Sequence, residues 1–295
     1  MMGFLASKQV LLDYFLISLG VAYAQQIALR AGVFSIATAG FVALGAYSSG
    51  YLVTAAGWPG PVAVVVAILF AMAVGGLLAI PLARLRGVFQ AIATLAFVEI
   101  VMNALYYFEP VTGGAMGMGG IPKLVQTWHL FAAVAVTIYL VHSIGISHVG
   151  RAFDALRQDE TVAASLGVPI RRYQTLALVV SAGLAGLFGS MQSLYFFTIS
   201  PNQFGFGYVV AILTAVVLGG RATLLGPVVG VLILAILPEI ARPLADLRLL
   251  MNGVILIAVI ILLPNGAGDT LAFAIRRRRQ RKAAAKPEGT ADGNA

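Results

Sequence analysis

The chain has 295 residues, 60% of them hydrophobic and 10% charged, with a net charge of +8 and no cysteine. A soluble domain carries roughly a quarter charged residues, so this composition points to a protein solvated largely by lipid. The missing cysteines exclude disulfides, thiol catalysis and cysteine-based metal sites, and the positive charge sits in loops and near the C-terminus, where membrane orientation explains it better than nucleic-acid binding does.

Apolar runs near 10–29, 34–56, 61–80, 88–108, 127–147, 174–197, 206–220, 224–240 and 249–264 predict an all-α polytopic membrane protein with about nine transmembrane helices. The runs are continuous rather than alternating, which excludes a β-barrel. The first lacks a strong basic start and a cleavage site and ends at Gln25 and Gln26, so it is read as a retained span rather than a signal peptide. Within 88–108, Glu99 sits near the bilayer centre with Asn103 one turn away. Such a carboxylate must face the bundle interior, water or a partner, either as a polar patch on a substrate path or as a buried structural acid.

Residues 113–120 are rich in glycine, including Gly113 and Gly114, and read either as a hinge at the outer mouth or as a mobile outer loop. They are no phosphate loop, because GxxxxGK[ST] occurs nowhere in the chain. His129, His142 and His148 lack metal-ligand spacing, and no metal is expected.

The one charged island, 151–172, carries Arg151, Asp154, Arg157, Asp159, Glu160, Arg171 and Arg172. Asp159 and Glu160 suit a helix N-terminal turn, and Gly167 with Pro169 is a stop signal. Helical spacing predicts that Leu156, Glu160, Ala163, Ala164 and Gly167 share one face, mostly of small side chains. That face is either solvated or a seat for a partner that comes close.

Ser181, Ala182, Gly183, Ala185, Gly186, Gly189 and Ser190 give 174–197 a small face suited to close helix packing. Gln192 and Ser193 on the same span could meet a polar ligand. Gly219–Gly220 and Gly226–Pro227 flank two short runs, either of which could be re-entrant. Residues 1–268 read as one membrane domain with a polar loop at 148–173, and 269–295 as a basic, disordered tail that touches anionic lipid. If the island is cytoplasmic, fifteen of the 19 Lys and Arg residues fall on that side, as does the C-terminus.

The island is similar to the cytoplasmic coupling loop of ABC importer permeases, with Glu160, Ala163, Ala164 and Gly167 as the matching positions. Its Arg-rich start and Ala-x-x-Leu-Gly end resemble the branched-chain amino acid permeases in particular. Ala83-Arg84-Leu85-Arg86-Gly87, Thr112-Gly113-Gly114 through Gly119-Gly120-Ile121-Pro122, Val217-Leu218-Gly219-Gly220 with Leu225-Gly226-Pro227, and Leu263-Pro264-Asn265-Gly266 resemble further motifs of that family in the same order. The glycine-rich loop, Leu237-Pro238-Glu239 and Leu263-Pro264 favour its M type over its H type.

The resemblance implies an ABC importer permease bundle of the BtuC-like kind in a bacterial inner membrane, with no cofactor of its own. It implies ATP hydrolysis in separate cytoplasmic ATPase subunits, docked at Arg151, Arg157, Glu160, Ala163, Ala164 and Gly167. It also implies a second permease subunit, a periplasmic substrate-binding protein, and branched-chain amino acids or a small amide such as urea as cargo. Glu99, Asn103, Gly113, Gly114 and Gln192 are the substrate-path candidates. The rival readings are a transporter driven by an ion gradient, with Glu99 and Asp13 as the acids available to it, and a non-transporting membrane scaffold.

Overall fold

In a computed structural model of the chain, residues 2–240 and 268 are described. Eleven α-helices lie between residues 2 and 240: α1 (Met2–Arg30), α2 (Thr38–Thr54), α3 (Gly60–Leu82), α4 (Val88–Tyr107), α5 (Glu109–Thr112), α6 (Thr127–Ile146), α7 (His148–Gln158), α8 (Glu160–Ser165), α9 (Ile170–Phe196), α10 (Phe206–Gly219) and α11 (Leu225–Ile240). Among the described residues there is no strand, only an isolated bridge between Met118 and Ile199.

The centre of the bundle is α9, 27 residues and about 40 Å long. Its small face packs on α2 and α3. A Cβ on Gly189 would run into the Val42 carbonyl, and one on Gly45 into the Gly186 carbonyl. Glycine here permits backbone-to-backbone approach, which drives helix association where lipid and side chains are equally apolar. On its other side α1 fits Gly20 under the Phe188 ring. Two-thirds of the most apolar stretch of α1 and of α9 (67% each) is buried, against 28% for α3 and α6, which separates the core helices from the rim.

Among the described residues, six helical segments are long and apolar enough to cross a membrane, fewer than the eight of the nine runs that fall there. The difference has identifiable causes. The 34–56 run begins with a non-helical stretch, 33–37, which leaves α2 only 17 residues. The 224–240 run forms α11, whose apolar part, Leu225–Ile236, is short. The 206–220 run gains a 3-10 turn, Pro201–Phe204, and so reaches 19 residues. The run at 249–264 and the basic tail lie outside the described residues.

The connections gather at two ends. At one end, the segment 113–125 is tied to the end of α9 by Met118 N–H to the Ile199 carbonyl (2.8 Å), Ile121 N–H to Phe197 (3.1 Å) and Leu124 N–H to Leu194 (3.1 Å). At the other end lie the island and the turns after α1 and α3, joined by the contacts of Arg30 with Asp154 and of Arg86 with Glu160.

Candidate functional site

The island folds as two helices, not one. Asp159 adopts extended angles (φ −159°, ψ 116°) and accepts hydrogen bonds from the backbone N–H groups of Thr161 (2.7 Å) and Val162 (3.1 Å). It therefore ends α7 and caps α8, as a short acidic side chain does best. The Val162 and Thr161 donors hold its carboxyl below the usual carboxylate range.

This break overturns the expected shared face of Leu156, Glu160, Ala163, Ala164 and Gly167. Leu156 (2% exposed) and Ala163 (1%) turn into the bundle, whereas Ala164 and Gly167 are exposed. Gly167 takes φ +79°, a left-handed turn that closes α8 with Val168 N–H bonded to the Ala163 carbonyl (3.1 Å). The outward surface of the island includes Arg151, Val162, Ala164, Leu166 and Gly167. Two of these, Val162 (54%) and Leu166 (75%), are large apolar side chains in the open.

Glu160 is tied to the bundle: Gln174 Nε2 donates to its Oε1 (3.0 Å), and Arg86 lies 4.0 Å from its Oε2. Arg157 approaches Asp154 (3.8 Å), which also meets Arg30 at the end of α1 (3.4 Å). Asp154 and Gln174 thus fix the island to the helices. Asp154 had a charge to mark it, but Gln174 had no signal in the pattern, since its partner lies 14 residues away across a turn. Arg151 stays at the surface beside His148 (2.7 Å). A recess of about 570 Å³ opens between α8, the turn after α3 and the start of α9, where Arg84, Arg86, Arg171 and Arg172 converge.

The substrate-path candidates do not form one site. Glu99 and Asn103 lie on the outward face of α4, and the Asn103 amide donates to the Glu99 backbone carbonyl (2.8 Å). Gly113 (φ +74°) and Gly114 (φ +59°) shape the turn after α5, where the Thr112 hydroxyl donates to the Leu105 carbonyl (2.6 Å). This glycine-rich segment is pinned rather than loose. Gln192 is buried in α9 with no partner for its Oε1 among the described residues, one residue from the buried Ser49–Ser193 hydroxyl pair (2.9 Å).

Two buried glutamines that the sequence showed only as interruptions hold the non-helical stretches. Gln25 Nε2 donates to the Ser35 carbonyl (2.6 Å) while its Oε1 accepts from the Thr38 hydroxyl. Gln26 Nε2 donates to the Thr223 carbonyl (2.7 Å).

The island is thus a two-part polar segment clamped to an apolar bundle. The family described as the branched-chain amino acid transport system permease component matches residues 9–264. The chain belongs to this family. Among curated relatives of this permease-family chain, the high-affinity branched-chain amino acid transport system permease protein LivM of Escherichia coli strain K12 is 29% identical over 269 residues, 80% of this chain and 63% of that protein. The probable LivM of Methanocaldococcus jannaschii is 25% identical, over 58% of this chain and 52% of that protein. LivH of Salmonella typhimurium is 25% identical, over 57% and 55%. The chain thus spans less than two thirds of the length of the curated relatives it matches, and the likeness to LivM covers more of it than the likeness to LivH. No solved structure matches it.

Proposed function

We propose that this chain is the M-type permease subunit of an ATP-driven importer for branched-chain or related hydrophobic amino acids, forming half of the translocation path in a bacterial inner membrane. In this reading the island end is cytoplasmic, as is the C-terminus, the bundle is BtuC-like with about nine spans, and 269–295 is a basic tail. The chain itself hydrolyses nothing. ATPase subunits seat on Ala164, Gly167, Val162, Leu166 and Arg151, with Glu160, Arg157 and Ala163 holding the lever beneath them. A periplasmic binding protein delivers cargo at the glycine-rich end, Gly113 and Gly114 included, and a second permease completes the pore along α4. Glu99 and Asn103 line that seam, and Gln192 is a buried polar group beside the path. The observation that carries the reading is the exposed apolar pair Val162 and Leu166 on a lever whose base is fixed to the bundle, in a chain of this family.

The test is reconstitution with cognate ATPase subunits. Ala164→Trp adds bulk on the docking side, and Glu160→Arg breaks the clamp to Gln174 and Arg86. Both variants are expected to insert normally and to lose ATP-dependent leucine uptake. Normal uptake by both would remove the coupling role. Uptake that persists without ATPase subunits and collapses with the proton or sodium gradient would favour a secondary transporter, and urea uptake in place of leucine would reassign the cargo.

A further inference from the structure

Two stretches of backbone leave the helix inside this bundle: 33–37, leading into α2, and 220–224, between α10 and α11. Both are held from α1. Gln25 bonds the Ser35 carbonyl (2.6 Å), Gln26 the Thr223 carbonyl (2.7 Å), and the Tyr23 hydroxyl the Leu224 carbonyl (2.7 Å). All three side chains are at most 1% exposed. Gln25 lies five residues before Arg30, so its partner sits about 7 to 8 Å inside the end of α1. Backbone carbonyls buried among helices need donors from the protein; side chains supply one to each of these three, and Gly226 N–H (3.1 Å) supplies a second to the Thr223 carbonyl.

We propose that Tyr23, Gln25 and Gln26 are positioning residues that bind the two breaks into a single cytoplasmic gate moved by α1. The proposal rests on the transport reading above. Its driving difference is hydration. When the gate is packed, these side chains supply a donor to each of the three carbonyls, the Thr223 carbonyl also accepting from Gly226 N–H (3.1 Å); when it opens to the cytoplasm, water can replace the side-chain donors, so these hydrogen bonds favour the closed state. The end of α1 is also where the lever attaches. Arg30 contacts Asp154 of α7 at 3.4 Å, and a Cβ on Gly32 would lie 3.3 Å from the Leu156 carbonyl and 3.7 Å from Glu160 Oε1. Motion of the island therefore reaches α1 directly, and α1 reaches both breaks.

The chain has no cysteine, so one introduced thiol reports alone. Ala37→Cys places it in the first break, at a site 0% exposed. Labelling by a membrane-impermeant thiol reagent from the cytoplasmic side is compared with and without Gln26→Met, which removes one of the two side-chain donors to the second break and leaves Gln25 on the first. Vesicles carry the chain with its ATPase subunits.

Joined breaks predict labelling faster by roughly tenfold, together with more ATP hydrolysed per leucine taken up and an unchanged level of inserted protein. Unchanged labelling at Ala37→Cys means that the breaks move independently and overturns the proposal. Tyr23→Phe, which removes only a hydroxyl, gives the same two-way answer should Gln26→Met fail to assemble. Absence of any uptake by the parent complex would remove the transport reading, yet the labelling comparison between the two breaks would still stand.

Discussion

At the scale of single residues, Asp159 decides the shape of the island. Its side chain satisfies two N–H groups that α8 would otherwise leave open, and its extended backbone turns α7 away. Asp159→Asn keeps an acceptor at that position, whereas Asp159→Ala removes it. Limited proteolysis of membrane vesicles at neutral pH is expected to cut 148–173 faster in Asp159→Ala and at the parent rate in Asp159→Asn. The pH dependence has a definite sign. Folding lowers the Asp159 pKa, so its stabilisation is complete above the ordinary carboxylate range and fades as pH falls through the lowered value. Protection in the parent chain should therefore persist through mild acid and weaken only below that range, while Asp159→Asn stays flat. The sequence showed Asp159 and Glu160 as a helix start, but not that the start interrupts an existing helix. Ala163 was consequently placed on the docking face, although it is buried.

At the scale of helices, legibility depended on how local the cause is. The small face of α9 was readable because a single helix carries the whole pattern, and α2 and α3 do pack against it. The short α2 was not readable, because hydropathy does not distinguish a non-helical apolar stretch from a helical one. Its non-helical lead-in is stabilised by Gln25, by Gln90, whose side chain accepts from Phe34 N–H (3.2 Å), and by Thr94, which accepts from Ile36 N–H (3.1 Å). Those partners lie 10, 56 and 58 residues away in sequence. The packing makes two opposite glycine predictions. In Gly189→Val the new side chain meets the Val42 backbone, which cannot yield, so a loss of at least about 1 to 3 kcal/mol is expected. In Gly76→Ala the Cβ meets only Val179 Cγ2, at an ordinary 3.6 Å, so the helix gains roughly 0.5 to 1 kcal/mol. Thermal unfolding in detergent should fall for the first variant and hold or rise for the second.

At the scale of the whole molecule, the surface of α4 differs from those of α3 and α6, and it is where the second permease proposed above would sit. The outward faces of α3 and α6 are apolar around Leu69 (59% exposed) and Val136 (54%), and lipid solvates them without cost. The face of α4 instead exposes Glu99, near the middle of a 20-residue span, and Asn103 beside it. A carboxylate at that depth costs about 3 kcal/mol against hydrocarbon on insertion scales, and Asn103 turns its amide to the helix backbone rather than to the acid. The cost falls away if the face borders a water-filled seam between two permeases, which makes Glu99 a group that cargo passes and not a lipid contact. In the assembled complex, Glu99→Cys is then expected to react with a membrane-impermeant thiol reagent and Leu69→Cys to stay unlabelled, with excess leucine slowing the first reaction. Glu99→Leu should insert and co-purify with its partners yet lower uptake by roughly tenfold, the effect of about 1.4 kcal/mol on the limiting barrier. Labelling at Glu99→Cys no faster than at Leu69→Cys would place this face against lipid and move the seam to another helix.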